Sequence, residues 1–271
     1  MNRRDFLSGL FTGTAAGIAL MAPSLSFAAP KPVIEQGFRL VIDPGHGGEN
    51  HGCLAHGVEV HEKQLTLIMA QRLAGRVVEL MPHAEVLLTR ERDETLHLQD
   101  RIGFANDCDA DLFLSLHCNA SPKRDQTGFE TFLLDLEASS KEAALTAQRE
   151  NERAAANSGT VAGGRKPDDE AVALMLSELG MNHNRARAAH YAAAIQREQG
   201  RRFPDRPDRG VRQAAFDVLM GARMPAVLHE VGFLDHEREG AMLRSDVGQG
   251  EIVEAIAQAT LRYYNEIVRR E

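Results

Sequence analysis

Leu40-Val41-Ile42-Asp43-Pro44-Gly45-His46-Gly47-Gly48 reads as a buried strand that stops at an Asp-Pro-Gly break and delivers a histidine at its end. Two other segments follow the same plan: Leu112-Phe113-Leu114-Ser115-Leu116-His117-Cys118-Asn119 and Ala226-Val227-Leu228-His229-Glu230-Val231-Gly232-Phe233. Near-continuous apolar runs of this length are the pattern of strands covered on both faces. In an open α/β sheet, active sites gather beyond the carboxyl ends of parallel strands, where residues distant in sequence meet. His46, His117 and Glu230 each occupy such an end. One further carboxylate would complete a zinc hydrolase site of the two-His, one-Glu type.

The intervening sequence supports that sheet. From Glu62, the apolar residues Leu65, Ile68, Met69, Leu73, Val77 and Leu80 recur at helical spacing, and Pro82 ends the helix. Glu85 to Thr89 reads as a short strand, Leu96 to Asn106 as a helix and Gly128 to Leu134 as another strand. The alternation predicts a single α/β domain over 38–271, with a mostly parallel or mixed twisted sheet flanked by helices. Residues of about 137–180 are rich in Ala, Glu, Arg and Lys, with a break at Ser158-Gly159-Thr160-Val161-Ala162-Gly163-Gly164. They read as an inserted helical segment, too poor in large apolar residues to hold a core of its own. A helix near Ala186–Gln199, a strand at Ala214–Met220 and a helix over about Glu251–Ile267 complete the pattern.

The N-terminus points to export. Arg3-Arg4 precede an uncharged run from Phe6 to Ala29 that ends in Ser26-Phe27-Ala28-Ala29, an A-x-A-like cleavage site. This is the form of a twin-arginine signal peptide over 1–28, followed by a short leader over 29–37 and implying a periplasmic destination. An uncleaved anchor is the competing reading, but Gly, Thr and Ser dilute the run and Pro23 interrupts it, so no stable membrane span is expected after processing. The formal charge of −8 argues against nucleic acid as a partner. Cys53, Cys108 and Cys118 are odd in number and form no CxxC pair, so free or buried thiols are expected.

Several acids compete to complete the metal set. Glu62 opens a helix, where the partial positive charge of the terminus favours an ionised carboxylate. Glu49, Glu59 and His61 are rivals in the same loop, and an ordinary first-turn acid is the alternative for Glu62. His117 read alone is a satisfied core histidine, with Asn119 beside it as a substrate-facing or supporting hydrogen-bond partner. Glu230 ends a buried strand and needs a reason to be there; acting as general base in a metal hydrolase would supply one. His51, His56, His83, His97, His183, His190 and His236 show no spacing that outranks these. The arginines at 185, 187, 197, 201, 202, 206, 209 and 212 read by default as a solvated face, or else as partners for acidic groups on a substrate.

At these residues the sequence resembles the zinc-dependent N-acetylmuramoyl-L-alanine amidases of bacterial cell separation. The matching segments are 41–48, Glu62-Lys63, 115–119, Gly128-Phe129-Glu130-Thr131, Gly210-Val211-Arg212-Gln213-Ala214 and 224–233. The resemblance implies one Zn2+ held by His46, Glu62 and His117, with Glu230 as catalytic acid/base. It implies cleavage of peptidoglycan between N-acetylmuramic acid and L-alanine. Ala147-Gln148-Arg149-Glu150-Asn151 resembles the helix that closes the site in regulated members, making Glu150, ahead of Glu152, the candidate inhibitory ligand. A LytM-type activator protein is the implied partner. About ten residues separate the cleavage site from the first strand, so no N-terminal targeting module is expected. The alternatives are a zinc peptidase or carboxypeptidase on stem peptides and a non-catalytic cell-wall binding protein.

Overall fold

In the computed structural model, which describes residues 37–158 and 179–270, strand β1 (Arg39–Pro44) lies between β2 (Glu85–Leu88) and β3 (Leu112–Asn119), parallel to both. β3 pairs in parallel with β6 (Ala226–Phe233). β4 (Phe129–Leu134) then joins β6 antiparallel, and β5 (Asp208–Ala214) closes the sheet parallel to β4. Among the described residues the order is β2-β1-β3-β6-β4-β5. The reversal at β4 has a geometric consequence: the N-terminal ends of β4 and β5 share one sheet edge with the C-terminal ends of β1, β3 and β6.

Both faces of this mixed sheet are covered, and strand alternation sorts the residues between them. Leu40, Ile42, Leu112, Leu114, Leu116, Val227 and Val231 point to one side. There they pack with α1 (Glu62–Leu80), α4 (Leu179–Arg202) and α6 (Asp246–Glu266). Val41, Phe113, Phe132 and Leu228 point to the other, against α2 (Leu98–Asp107) and α3 (Lys141–Ser158). By the same alternation Asp43, Ser115, His117 and Glu230 lie on the α2/α3 side, and His229 on the α4 side. This is the single α/β domain that the sequence pattern implies.

Several expectations are corrected. The strand expected at Ala214–Met220 is instead β5 ending at Ala214, followed by a 3-10 turn at Asp217–Leu219. The apolar side chains Phe216, Val218 and Leu219 enter the core from that turn, whereas the strand itself carries arginines that hide its period. A short helix α5 (Glu237–Arg244) precedes α6 and has no counterpart in the sequence reading. Ser245, whose Oγ accepts from Gly248 N at 3.0 Å, caps α6 and starts it earlier than expected. The signal sequence expected over 1–28, the leader except its last residue, and the 159–178 part of the helical segment lie outside the described residues. No described helix is long and apolar enough to cross a membrane. Cys53, Cys108 and Cys118 are free thiols.

Candidate metal centre

His46 follows β1 with φ of 63°, a left-handed conformation unusual for a residue with a Cβ. Two buried arginines hold the backbone in that turn. Arg101 Nη2 donates to the His46 carbonyl at 2.7 Å and Nη1 to the Pro44 carbonyl at 3.0 Å; Arg90 donates to Pro44 and Gly45 carbonyls, each at 2.9 Å. Asp43 neutralises Arg101 at 2.7 Å and also accepts from Thr89 and Ser115. Burial opposes ionisation of Asp43, but Arg101 and the two hydroxyls outweigh it and lower its pKa. The His46 imidazole is buried, because α3 lies over it.

Glu62 is the acid that geometry brings in. Its Oε2 accepts from Cys53 N at 2.9 Å and its Oε1 from Cys118 N at 2.8 Å, so two backbone amides aim the carboxylate between the histidines. Its rivals face elsewhere: Glu49 and Glu59 are exposed, and His61 packs tilted against His51 with ring centroids 4.7 Å apart. One donor atom each from His46, Glu62, His117 and Glu150 fall within 4.8 Å of one another.

This donor set fits a zinc ion. The Asn50 side-chain oxygen lies 2.9 Å from His46 Nδ1 and accepts its proton, which leaves a lone pair on Nε2. Nε2 is 2.9 Å from Glu62 Oε1 and 3.2 Å from Glu150 Oε2, yet it makes no properly directed hydrogen bond to any described residue. His117 Nδ1 stands 3.1 Å and 3.4 Å from the same two oxygens. Ligand atoms around a tetrahedral zinc are about 3.3 Å apart. Lone pairs and anionic oxygens packed this closely need a cation among them. Burial opposes charge on both imidazoles, but Glu62 and Glu150 outweigh it and raise His46 and His117, while the histidines hold both carboxylates low, so the cluster favours positive charge between the carboxylates, carried by a proton or by a metal ion.

Glu150 enters from α3, whose inner face is Ala143, Thr146, Ala147 and Glu150 at helical spacing. Arg149 Nη2 donates to Asn119 Oδ1 at 3.0 Å and its Nη1 to the Ala120 carbonyl. Asn151 spans to Ala215 O at 2.9 Å and accepts from Asp217 N at 3.1 Å. Glu152 points outward and accepts from Gln148 at 2.7 Å. Among the described side chains of α3, the buried apolar ones are Ala143 and Ala147, and these contribute less than the polar contacts.

Glu230 is the register partner of His117 across β3–β6, and both its oxygens are buried with no hydrogen-bond partner among the described residues. Burial raises its pKa well above the usual carboxylate range, and Glu150 adds to the shift. Glu130 opposes it across β4–β6. Asn119 donates to Glu130 Oε1 at 2.7 Å, while Glu130 Oε2 pairs with Arg212 at 2.9 Å and Arg209 at 3.1 Å. Arg206 pairs with Glu239 at 2.6 Å. Arg206, Arg209 and Arg212 are therefore not a solvated face. Asn50, Glu130, Arg101 and Arg149 carry structure at the site and escaped the residue-by-residue reading. The signals available were a Glu within the apolar run 128–134 and an Asn four residues after His46.

Comparison with known proteins agrees with this geometry. The family model for N-acetylmuramoyl-L-alanine amidase matches residues 40–262. The chain is 30% identical over 227 residues to N-acetylmuramoyl-L-alanine amidase CwlM of Bacillus licheniformis, covering 84% of this chain and 69% of that protein. It is 29% identical over 226 residues to the amidase AmiC of Escherichia coli, covering 83% of this chain and 52% of the relative, so it spans about half that protein's length. Among solved structures, an N-acetylmuramoyl-L-alanine amidase from Clostridium difficile superposes with a TM-score of 0.62 at 25% identity, covering 85% of this chain and 98% of its own.

Proposed function

This chain belongs to the N-acetylmuramoyl-L-alanine amidase family, and on that premise we propose that it is a zinc hydrolase of peptidoglycan. It cleaves the amide between the lactyl group of N-acetylmuramic acid and the L-alanine of the stem peptide. The observation that carries the reading is the convergence of His46, Glu62 and His117 donor atoms beside an unpartnered, buried Glu230.

His46, Glu62 and His117 would hold the ion, and Asn50 with the amides of Cys53 and Cys118 orient them. Zinc, when bound, supplies Lewis-acid polarisation of the scissile carbonyl and makes a water easier to deprotonate. Glu230 moves the proton: as carboxylate it takes one from the attacking water, and as carboxylic acid it returns it to the departing amine nitrogen. Burial makes this carboxyl hold a proton more readily than a solvated one, which suits both halves of that task. Asn119, fixed by Glu130, lines the same edge and would meet the substrate once Arg149 leaves with α3.

Glu150 stands where substrate or water would approach, so the conformation described is a closed one and α3 must leave before turnover. A LytM-type activator that draws α3 away, export to the periplasm by the twin-arginine route and use in daughter-cell separation complete the proposal. The helical segment over about 137–180 is then the regulatory insert of a catalytic domain over 38–271.

The test is mass spectrometry of soluble products from purified sacculi, with the zinc-loaded chain carrying Glu150→Ala run beside its parent. Free stem peptides beginning at L-alanine, released at least tenfold faster by the variant, are the expected result. Equal release would keep the amidase and discard the Glu150 closure. Shortened peptides would indicate a zinc peptidase instead. Zinc binding without any product would indicate a cell-wall binding protein.

A further inference from the structure

Helix α3 brings a second carboxylate to the site. Glu142, eight residues before Glu150 on the same helix, places Oε2 3.2 Å from Arg209 Nη2 and 3.5 Å from Arg212 Nη1. The two arginine side chains are only 15% and 19% exposed, whereas Glu142 is 57% exposed. Both guanidinium groups also lean on Glu130 Oε2, which is 3% exposed. Arg209 additionally lies over the Phe233 ring at 5.1 Å, and Arg212 donates to Ser140 Oγ at 3.1 Å. In the closed state two cations therefore meet two carboxylates. Lifting α3 removes Glu142 and leaves two partly buried arginines sharing the single carboxylate of Glu130.

We propose that Arg209 and Arg212 form a carboxylate-binding subsite for an acidic group on the substrate peptide, and that Glu142 fills it in the closed state. The inference rests on the amidase reading above and on displacement of α3. Its location follows from the sheet. β6 carries Glu230, its neighbour β4 carries Glu130, and β5 carries Arg209 at the same edge. Both guanidinium groups reach back from β5 to Glu130 Oε2, and Glu130 is the cross-strand partner of Glu230, a pairing that sets Cβ atoms about 4.5–5.5 Å apart. Extended peptide advances about 3.3–3.6 Å per residue, so a carboxylate held there belongs to the first residues of the stem peptide. The planar donor fork of arginine suits a carboxylate better than a point charge would. The helix thus mimics two features of the ligand it excludes: Glu150 among the histidines and Glu142 on the arginines.

The test uses the full chain, zinc-loaded, carrying Glu150→Ala to release α3 and Glu230→Gln to prevent turnover. Calorimetric titration compares two probes: a muramoyl tripeptide ending in a free carboxylate and the same compound with that carboxylate amidated. The carboxylate probe should bind at least tenfold tighter. Arg209→Gln should reduce that preference below threefold, and Arg209→Lys should retain part of it. Equal affinity for the two probes, binding of neither, or a preference indifferent to Arg209→Gln would overturn the subsite. Because Arg209→Gln strips a partner from buried Glu130, a second variant guards against misfolding. Glu142→Gln, in the chain carrying Glu230→Gln with Glu150 intact, should tighten the carboxylate probe severalfold more than the amidated one; equal tightening of both, or no change, would also overturn the proposal. Product release from sacculi reports separately on the amidase reading. A carboxylate preference without stem-peptide release would sink the amidase and keep the anion site.

Discussion

The α-carbon of Gly45 is pressed against the imidazole of His117: a Cβ at this position would overlap Cε1 and Nε2 of the ring. Gly45 N also donates to the Leu116 carbonyl at 2.9 Å, so the β1 loop cannot retreat from β3. The glycine is required here for close approach, and it fixes which way His117 Nδ1 faces.

Gly45→Ala should therefore fold but bind zinc poorly, because the ring must turn away from Glu62. Supporting contacts of metal ligands are worth about 10–100-fold in affinity. Competition with a chromogenic chelator, beside circular dichroism, is the check; parent-like affinity would show that the ring is positioned by something else.

Arg149 anchors α3 through Asn119 and the Ala120 carbonyl, independently of Glu150. Arg149→Ala should loosen the helix without removing the Glu150 carboxylate. Stem-peptide release should fall between that of the parent and that of Glu150→Ala. Release as slow as the parent's would mean that Glu150 alone keeps the helix down.

Arg101 and Asp43 form a buried ion pair beneath the His46 turn, with side chains 2% and 0% exposed. Arg101→Met leaves Asp43 as an uncompensated buried charge, which costs about 3–5 kcal/mol. Urea unfolding should show that loss, and adding Asp43→Asn should recover part of it. Additive losses in the double variant would contradict the pairing.

Histidine 229 faces away from the site, with Nε2 2.8 Å from Gln199 Oε1 and Nδ1 2.9 Å from the Thr131 hydroxyl. Burial lowers its pKa from 6.5 to about 3. The neutral ring is thus the folded form, and its contribution is complete above the unfolded pKa. It declines as pH falls from about 6.5 towards 3, by up to about 1.4 kcal/mol per unit. His229→Gln, measured without metal, should be less stable than the parent at pH 7.5, and the gap should narrow below pH 6.5. A gap that stays constant down to pH 4.5 would rule this out.

Much of the arrangement is written locally. An apolar run that ends at Asp43-Pro44-Gly45, or that stops at His117, shows its period and its break in a few residues, and its burial follows from what such runs must do in water. The helix opened by Glu62 is legible for the same reason. β5 is not: its arginines pair with Glu130 and Glu142 across other elements, so the strand lacks an apolar period and the reading slid onto the 3-10 turn that follows it. Ala214–Met220 has the apolar content of a strand because Phe216, Val218 and Leu219 enter the core from that turn.

The sequence alone therefore determined an α/β sheet with two histidines and a glutamate at strand ends, since hydrophobic period and chain breaks are local properties. Only the tertiary structure decided the rest. It chose Glu62 over Glu49 and Glu59 by aiming two backbone amides at one carboxylate, and it turned Glu150 inward and Glu152 outward through the rotational phase of α3. It reversed β4, so that Glu130 and Arg209 reach the edge where His46, His117 and Glu230 meet. These outcomes depend on distances between elements far apart in the chain, which packing sets and no local pattern encodes.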